Sequence, residues 1–410
     1  MKGKCIAVAA LGLSACGAVW GAPLKLALIE SLSGPQASTG LPLATAVKYQ
    51  VEKINAAGGW NGEPLVVTEY DNQGGPAGAS DKLKAAIADG AQIIVQGGGS
   101  VVAGQLSEDV RKYNLRNKGK ELLFLNVGAG ALDLTGSKCH FHHFRFISNT
   151  DMTFKALILA MKESGDLGTK VYSIYQNYSA GVDIDGAVKK FAGLGGYTVV
   201  ESTGHELNRI QDFSPYVAKI KASGAQTVLT GNWSNDLLLL MKSAKDAGLA
   251  ARFGTNFLDQ PGNIANAGPT ALGHYVAHPY DIEATPESEK FAEDYKARTG
   301  HYPAFTEPAA AFGMMMFGAA LKTVQPEDGK LNVNKLGLAL EQARIESPMG
   351  TSIMRAEDHQ LQLPIVVSKV SKDAKYKVDG TDMGFKPVRV LSAAESGVPV
   401  QDTCKMNRPQ

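Results

Sequence analysis

Residues 24–59 read LKLALIESLSGPQASTGLPLATAVKYQVEKINAAGG. The first seven are apolar at nearly every position, as in a strand buried on both faces. Further on the period changes to that of a helix over 47–57, with Val47, Val51 and Ile54 on one side and Ala46, Gln50 and Lys53 on the other. Asn55, Gly58 and Gly59 stop it. A strand, a Ser/Gly/Pro loop and a helix make the first step of a strand-helix-strand unit, and that step recurs down the chain.

Strands are expected at 64–70, 91–96 and 122–127, and helices at 80–89 and 102–113. After 144–147 the rhythm restarts: helices at 151–162, 181–191, 215–222 and 235–246 alternate with strands at 170–175, 197–202 and 227–230. Past 275–280 it becomes helix-rich, at 286–298, 307–323 and 333–343, and ends in strands at 351–356 and 364–369. Alternation of this kind predicts an α/β protein with two parallel sheets, each covered by helices on both faces.

A chain of 410 residues has room for two or three domains. Its 44% hydrophobic and 20% charged residues exclude a disordered chain. Forty-one Lys and Arg are dispersed among forty Asp and Glu, which argues against a nucleic-acid partner. Lys2 and Lys4 followed by the apolar run 5–15 read as an export signal over residues 1–21. Two cleavage routes are open: Leu13-Ser14-Ala15-Cys16 has the form of a lipoprotein box, with lipid anchoring at Cys16, and Val19-Trp20-Gly21 that of a soluble cleavage site. Either route leads to the periplasm. Beyond the signal, no apolar run has the length of a membrane span. Under soluble cleavage Cys139 and Cys404 are the two remaining cysteines, and an oxidising compartment predicts a disulfide between them; the alternative is two free thiols.

In open parallel sheets ligands bind beyond the carboxyl ends of the strands. The loops there are rich in Ser, Gly and Asn: 31–35, 71–78, 97–100 and 128–130. Glycine admits close backbone approach and a helix N-terminus favours an anion, so these loops suit a carboxylate, although each alone is equally well a tight turn.

Several of these residues together carry a resemblance. Ser33-Gly34-Pro35, the helix end Ile54-Asn55-Ala56-Ala57-Gly58-Gly59, Pro64-Leu65 and Tyr70-Asp71-Asn72 resemble the opening of the periplasmic leucine/isoleucine/valine-binding proteins. These are the type I periplasmic binding proteins that serve ABC importers. The similarity runs on through Asp133-Leu134-Thr135, Phe144-Arg145-Phe146 and Met349-Gly350-Thr351. It implies two doubly wound lobes joined by a three-segment hinge near 144–148, 275–280 and 347–350. Lobe one would hold 23–146 plus 278–347, and lobe two 147–277 plus 348–410.

The resemblance also implies a site. Ser100 would place a hydroxyl on the ligand carboxylate, Gly128 and Gly130 would form a second carboxylate loop, and Thr39 would be a wall. From lobe two, Tyr178 and Trp233 would supply aromatic surface, joined by Phe257 or Phe305 on the apolar side. Two departures stand out: Gly130 replaces a hydroxyl residue, and the acid that meets a ligand ammonium falls near Asn256-Phe257, where there is none. Asp259 is the nearest candidate. A buried ammonium without a partner costs several kcal/mol, so the expected ligand is a small amino acid met by Asp259, or an apolar carboxylate lacking the ammonium.

The implied partner is the membrane permease pair of an ABC importer, with the protein acting as a monomer and using no cofactor. An exported sensor reporting to a membrane receptor shares the fold and stays as the alternative. Cys139-His140-Phe141-His142-His143 has metal-binding residue types, but a disulfide at Cys139 would remove the thiolate, and strand alternation would separate His143 from His140 and His142. No nucleophile elbow, H-E-x-x-H or nucleotide loop is present, so an enzyme is not expected.

Overall fold

The computed structural model describes residues 23–409. The expected export signal and both cleavage sites lie outside them. Strand β1 (Leu24–Glu30) pairs in parallel with both β2 (Leu65–Asp71) and β3 (Ile93–Gln96), and β4 (Leu123–Asn126) and β5 (His143–Arg145) extend the same sheet. Its central strands are buried along almost their whole length, which is why their sequences run apolar without alternation.

A second sheet repeats the pattern with β6 (Lys170–Gln176), β7 (Thr198–His205), β8 (Thr227–Thr230), β9 (Arg252–Thr255) and β10 (Tyr275–His278), all parallel. In each sheet the first strand lies between the second and the third, so each has a switch point at which successive crossovers leave in opposite directions. The chain enters the second lobe after β5 and leaves it after β10. Helices Pro286–Thr299 and Glu307–Leu321 then cover the first sheet, against helix Ala37–Ala56.

The third crossing is not where the sequence places it. Residues 347–350 are the turn between β11 (Arg344–Ser347) and β12 (Gly350–Arg355), and β13 (Gln360–Gln362) follows antiparallel to β12 and parallel to β5. All three strands belong to the first sheet. Arg145 ties β13 to β5: its buried guanidinium donates from Nε to Gln360 Oε1 (2.6 Å), and its backbone N–H donates to His359 O (2.9 Å), while antiparallel ladders hold β12 to β13 and β11 to β12. Only after Gln362 does the chain reach the second sheet, as β14 (Ile365–Ser371) and β15 (Gly384–Leu391). Residues 348–362 therefore sit with the first lobe. So does the C-terminal tail, where Gln401 Nε2 donates to Leu132 O (2.6 Å) and Cys404 is disulfide-bonded to Cys139 with Cα atoms 5.5 Å apart.

Helix Ala37–Ala56 also starts a decade earlier than its periodicity suggests, with Pro42 inside it. Its first turn presses on the loop before it: a Cβ on Gly40 would lie 2.1 Å from Ser31 O, so only glycine fits. The expected alternation through 139–143 also fails, because the strand begins at His143. The His140 and His143 rings lie 6.0 Å apart, and His142 instead turns to Asn334 Oδ1 (2.7 Å).

Candidate ligand-binding site

The carboxyl ends of β3 and β4 from one lobe and of β6, β8, β9 and β10 from the other meet around a cavity of about 80 Å³. Eight of the nine residues singled out in the sequence line it: Thr39, Ser100, Gly128, Gly130, Tyr178, Trp233, Phe257 and Phe305.

The polar end is built from two loops in backbone contact. A Cβ on Gly128 would lie 2.7 Å from Gly97 O, so neither loop tolerates a side chain there. Asn126 braces the second loop, accepting from Ala129 N (2.8 Å) and Gly128 N (3.2 Å) and donating to Ala129 O (3.0 Å). Beneath the first loop lies Glu30, fully buried, which accepts from Gly97 N, Gly98 N (3.0 Å) and Ser31 N (3.3 Å). Burial pushes its carboxyl up to about 7, more than those amides pull it down. Ser100 opens helix Ser100–Arg116 behind Gly99, whose φ of 87° lets the loop turn into the helix. Its Oγ accepts from Ala131 N (3.3 Å), and its own O–H can donate. Helix N-terminus, hydroxyl and glycine loops together favour a carboxylate.

The apolar end is aromatic. Trp233 Nε1 donates to the Tyr178 hydroxyl (3.0 Å), which fixes both rings, and Phe257 meets Phe305 edge-to-face across the cleft at 5.7 Å. Trp233 is presented by a strained turn. Ser234 has φ 57° and ψ −146°, a region open essentially to glycine alone, and is held there by Gln260 Oε1 accepting from its N–H (2.7 Å).

Asp259 does not line the cavity. The chain turns after Phe257, with Gln260 N donating to Phe257 O (3.1 Å), and the Asp259 carboxylate meets His278 Nδ1 at 3.1 Å. His278 Nε2 meets Ser368 Oγ (3.1 Å) and lies 3.7 Å from Asp281 Oδ2. Burial works against the His278 cation, but the two carboxylates outweigh it and raise its pKa. Among the described residues no Asp or Glu lines the cavity, whereas Thr39 Oγ1, Thr150 Oγ1, Asn256 Oδ1 and Thr306 Oγ1 are buried there without a protein partner. Thr150 and Thr306 escaped sequence reasoning, and Asn256 was singled out there only as the place of a missing acid. Thr150 stands just past the hinge and Thr306 on a distant helix turn, and neither sits in a motif.

The histidines after Cys139 have other employment: Ser107 Oγ lies 2.9 Å from His140 Nε2, and His143 stacks on Phe124. Among the described residues no group of three or more His, Cys, Asp or Glu is placed to hold a metal ion, and no helix is long and apolar enough to cross a membrane.

Two doubly wound lobes closed over a cavity at their strand ends define a type I solute-binding protein. The family model for periplasmic binding proteins matches residues 23–375, and the chain belongs to that family, among its leucine/isoleucine/valine-binding members. It is 60% identical over 405 residues to the Leu/Ile/Val-binding protein homolog 4 of Brucella abortus, covering 98% of this chain and 97% of that protein. The crystal structure of the leucine-, isoleucine-, valine-, threonine- and alanine-binding protein of Brucella ovis, in a closed conformation, is also 60% identical, with a TM-score of 0.91 over 95% of this chain and all of the other. A Pseudomonas aeruginosa protein that binds the same five amino acids is 26% identical over 331 residues, 80% of this chain and 84% of its own. Membership makes this chain a solute-binding protein and places it in the periplasm.

Proposed function

We propose that the protein captures a small apolar amino acid between its lobes and delivers the closed complex to the permease pair of an ABC importer. The observation that carries this reading is the enclosed cavity with one polar and one aromatic end. Ser100 and the loops holding Gly128 and Gly130 take the carboxylate; Trp233, Tyr178, Phe257 and Phe305 cover the side chain. The names of the two Brucella relatives at 60% identity support the same class of ligand.

With Asp259 committed to His278, the ligand ammonium meets neutral oxygens, of which Thr150 Oγ1 and Asn256 Oδ1 lack partners. Such a site discriminates weakly against a ligand without the ammonium. The test is a thermal-shift series with leucine, isoleucine, valine, threonine and alanine beside 4-methylpentanoate, the carboxylate of leucine without its amine. A ligand at 100 times its Kd adds about 2.7 kcal/mol of stability. Shifts with the branched amino acids are expected. If only 4-methylpentanoate shifts the melt, the ligand is a carboxylate without an amine; if none does, the assigned ligand class is wrong.

A further inference from the structure

The turn Leu132–Thr135 follows the second carboxylate loop and belongs to the first lobe. It begins behind Ala131, a residue with no side chain able to cap the turn's free N–H groups. The missing cap comes from the other lobe: Leu132 N donates to Asp183 Oδ2 at 2.7 Å, and Asp183 lies on helix Ser179–Lys190, beyond the hinge. We infer that Asp183 is the latch of lobe closure, capping the Leu132 turn across the cleft when the lobes shut and giving that N–H back to water when they part.

The receiving turn is rigid before the latch arrives. Arg145 donates from beneath to Ala131 O and Thr135 Oγ1, Gln401 of the disulfide-anchored tail grips Leu132 O, and Lys138 pairs with Asp133 at 2.5 Å. A preorganised donor loses little entropy on docking. Charge adds a second reason. Arg145 is fully buried and its side-chain hydrogen bonds all go to neutral oxygens. Burial weakens it as a base, down to about 10, and Asp183 is among the carboxylates whose field offsets this. Closure therefore adds Asp183 to the field that Asp358 and Asp133 of the first lobe already supply, although burial and the neighbouring Asp133 push the Asp183 carboxyl itself up. Ala180, on the same helix, joins the apolar cluster of the first lobe beside Ala129, Ala131 and Leu134, so the latch has an apolar seat next to it. Asp183 does not line the ligand cavity. It is a positioning residue, acting on affinity through the closed state alone.

The inference rests on the reading that the lobes close over a small ligand. The experiment compares wild type, Asp183→Ala and Asp183→Asn, all as the full chain, with leucine as probe. Loss of a hydrogen bond to a charged group in the closed form corresponds to a Kd about 10- to 100-fold higher in Asp183→Ala, mostly as faster dissociation. The ligand-free melting temperature should stay unchanged. Asp183→Asn keeps an acceptor oxygen and should recover most of the affinity. Unchanged leucine affinity in Asp183→Ala, or a ligand-free melt that falls along with it, overturns the latch. If leucine fails to bind wild type, the ligand assignment fails separately. The comparison then runs at saturation with whichever ligand of the thermal-shift series binds, read as amide exchange over 131–135: ligand-induced slowing at Leu132 in wild type but not in Asp183→Ala supports the latch, and equal slowing in both, or no ligand of that series binding at all, overturns it.

Discussion

Replacing Glu30 by glutamine should remove a pH dependence that this carboxyl builds into the fold. Glu30 is fully buried, and its carboxylate accepts from the Gly97 and Gly98 amides of the loop that shapes the polar end of the cavity and from the adjacent Ser31 amide. Burial raises its pKa from 4.5 to about 7. Since the folded value lies above the unfolded one, the native state holds the proton more tightly, and stability falls as pH climbs from about 4.5 through about 7. Each pKa unit carries about 1.4 kcal/mol, so ionising Glu30 in place costs about 3 kcal/mol, fully felt by pH 8. The buried histidines 140 and 274, both held down at about 3 by burial, work in the opposite direction at acid pH. The useful quantity is therefore a difference. Urea unfolding of wild type and Glu30→Gln at pH 4 and pH 8 should show wild type losing about 3 kcal/mol relative to the variant between the two. Parallel pH profiles in the two proteins would refute the reasoning, and would mean that water or the loop amides solvate the carboxylate far better than its burial implies.

Ser100→Ala should raise the Kd of the ligand found in the thermal-shift series about 10- to 100-fold, read by calorimetry, since it removes the hydroxyl facing the carboxylate end. Ser234→Gly should be more stable than Ser234→Ala by about 1 kcal/mol in chemical unfolding, because both lose the hydroxyl and only glycine relieves φ 57° and ψ −146°. The Cys139–Cys404 bond spans 265 residues, and Cys404→Ser should lower stability by about 2 to 4 kcal/mol, with chemically reduced wild type melting alongside the variant.

The parallel sheets were legible because their strands are buried on both faces and betray themselves residue by residue, as LKLALIE does in β1. Strand β9 was not: RFGT has little strand character, and its place is set by β8 and β10 on either side. The glycine loops could be placed at the cleft from their position after strands, while a role for Ser100 came only with the family resemblance; the structure sets Ser100, Gly128 and Gly130 on the cavity wall. Asn256 and Phe257 were rightly seen as lacking an acid, yet the sequence offered no way to learn that Asp259, two residues on, would be claimed by His278.

By itself, the sequence determined what depends on near neighbours along the chain: the order of strands and helices, the glycines at the strand ends, and the two cysteines available for a bond. The tertiary structure decided what depends on partners far apart: which sheet receives the hairpin after 344, that Glu30 lies under the 97–98 amides, and that Asp183 caps a turn in the opposite lobe. The physical reason is that periodicity records only whether a side chain is buried. A buried polar group must also find its complement, and that complement is chosen by the folding of two distant segments against each other.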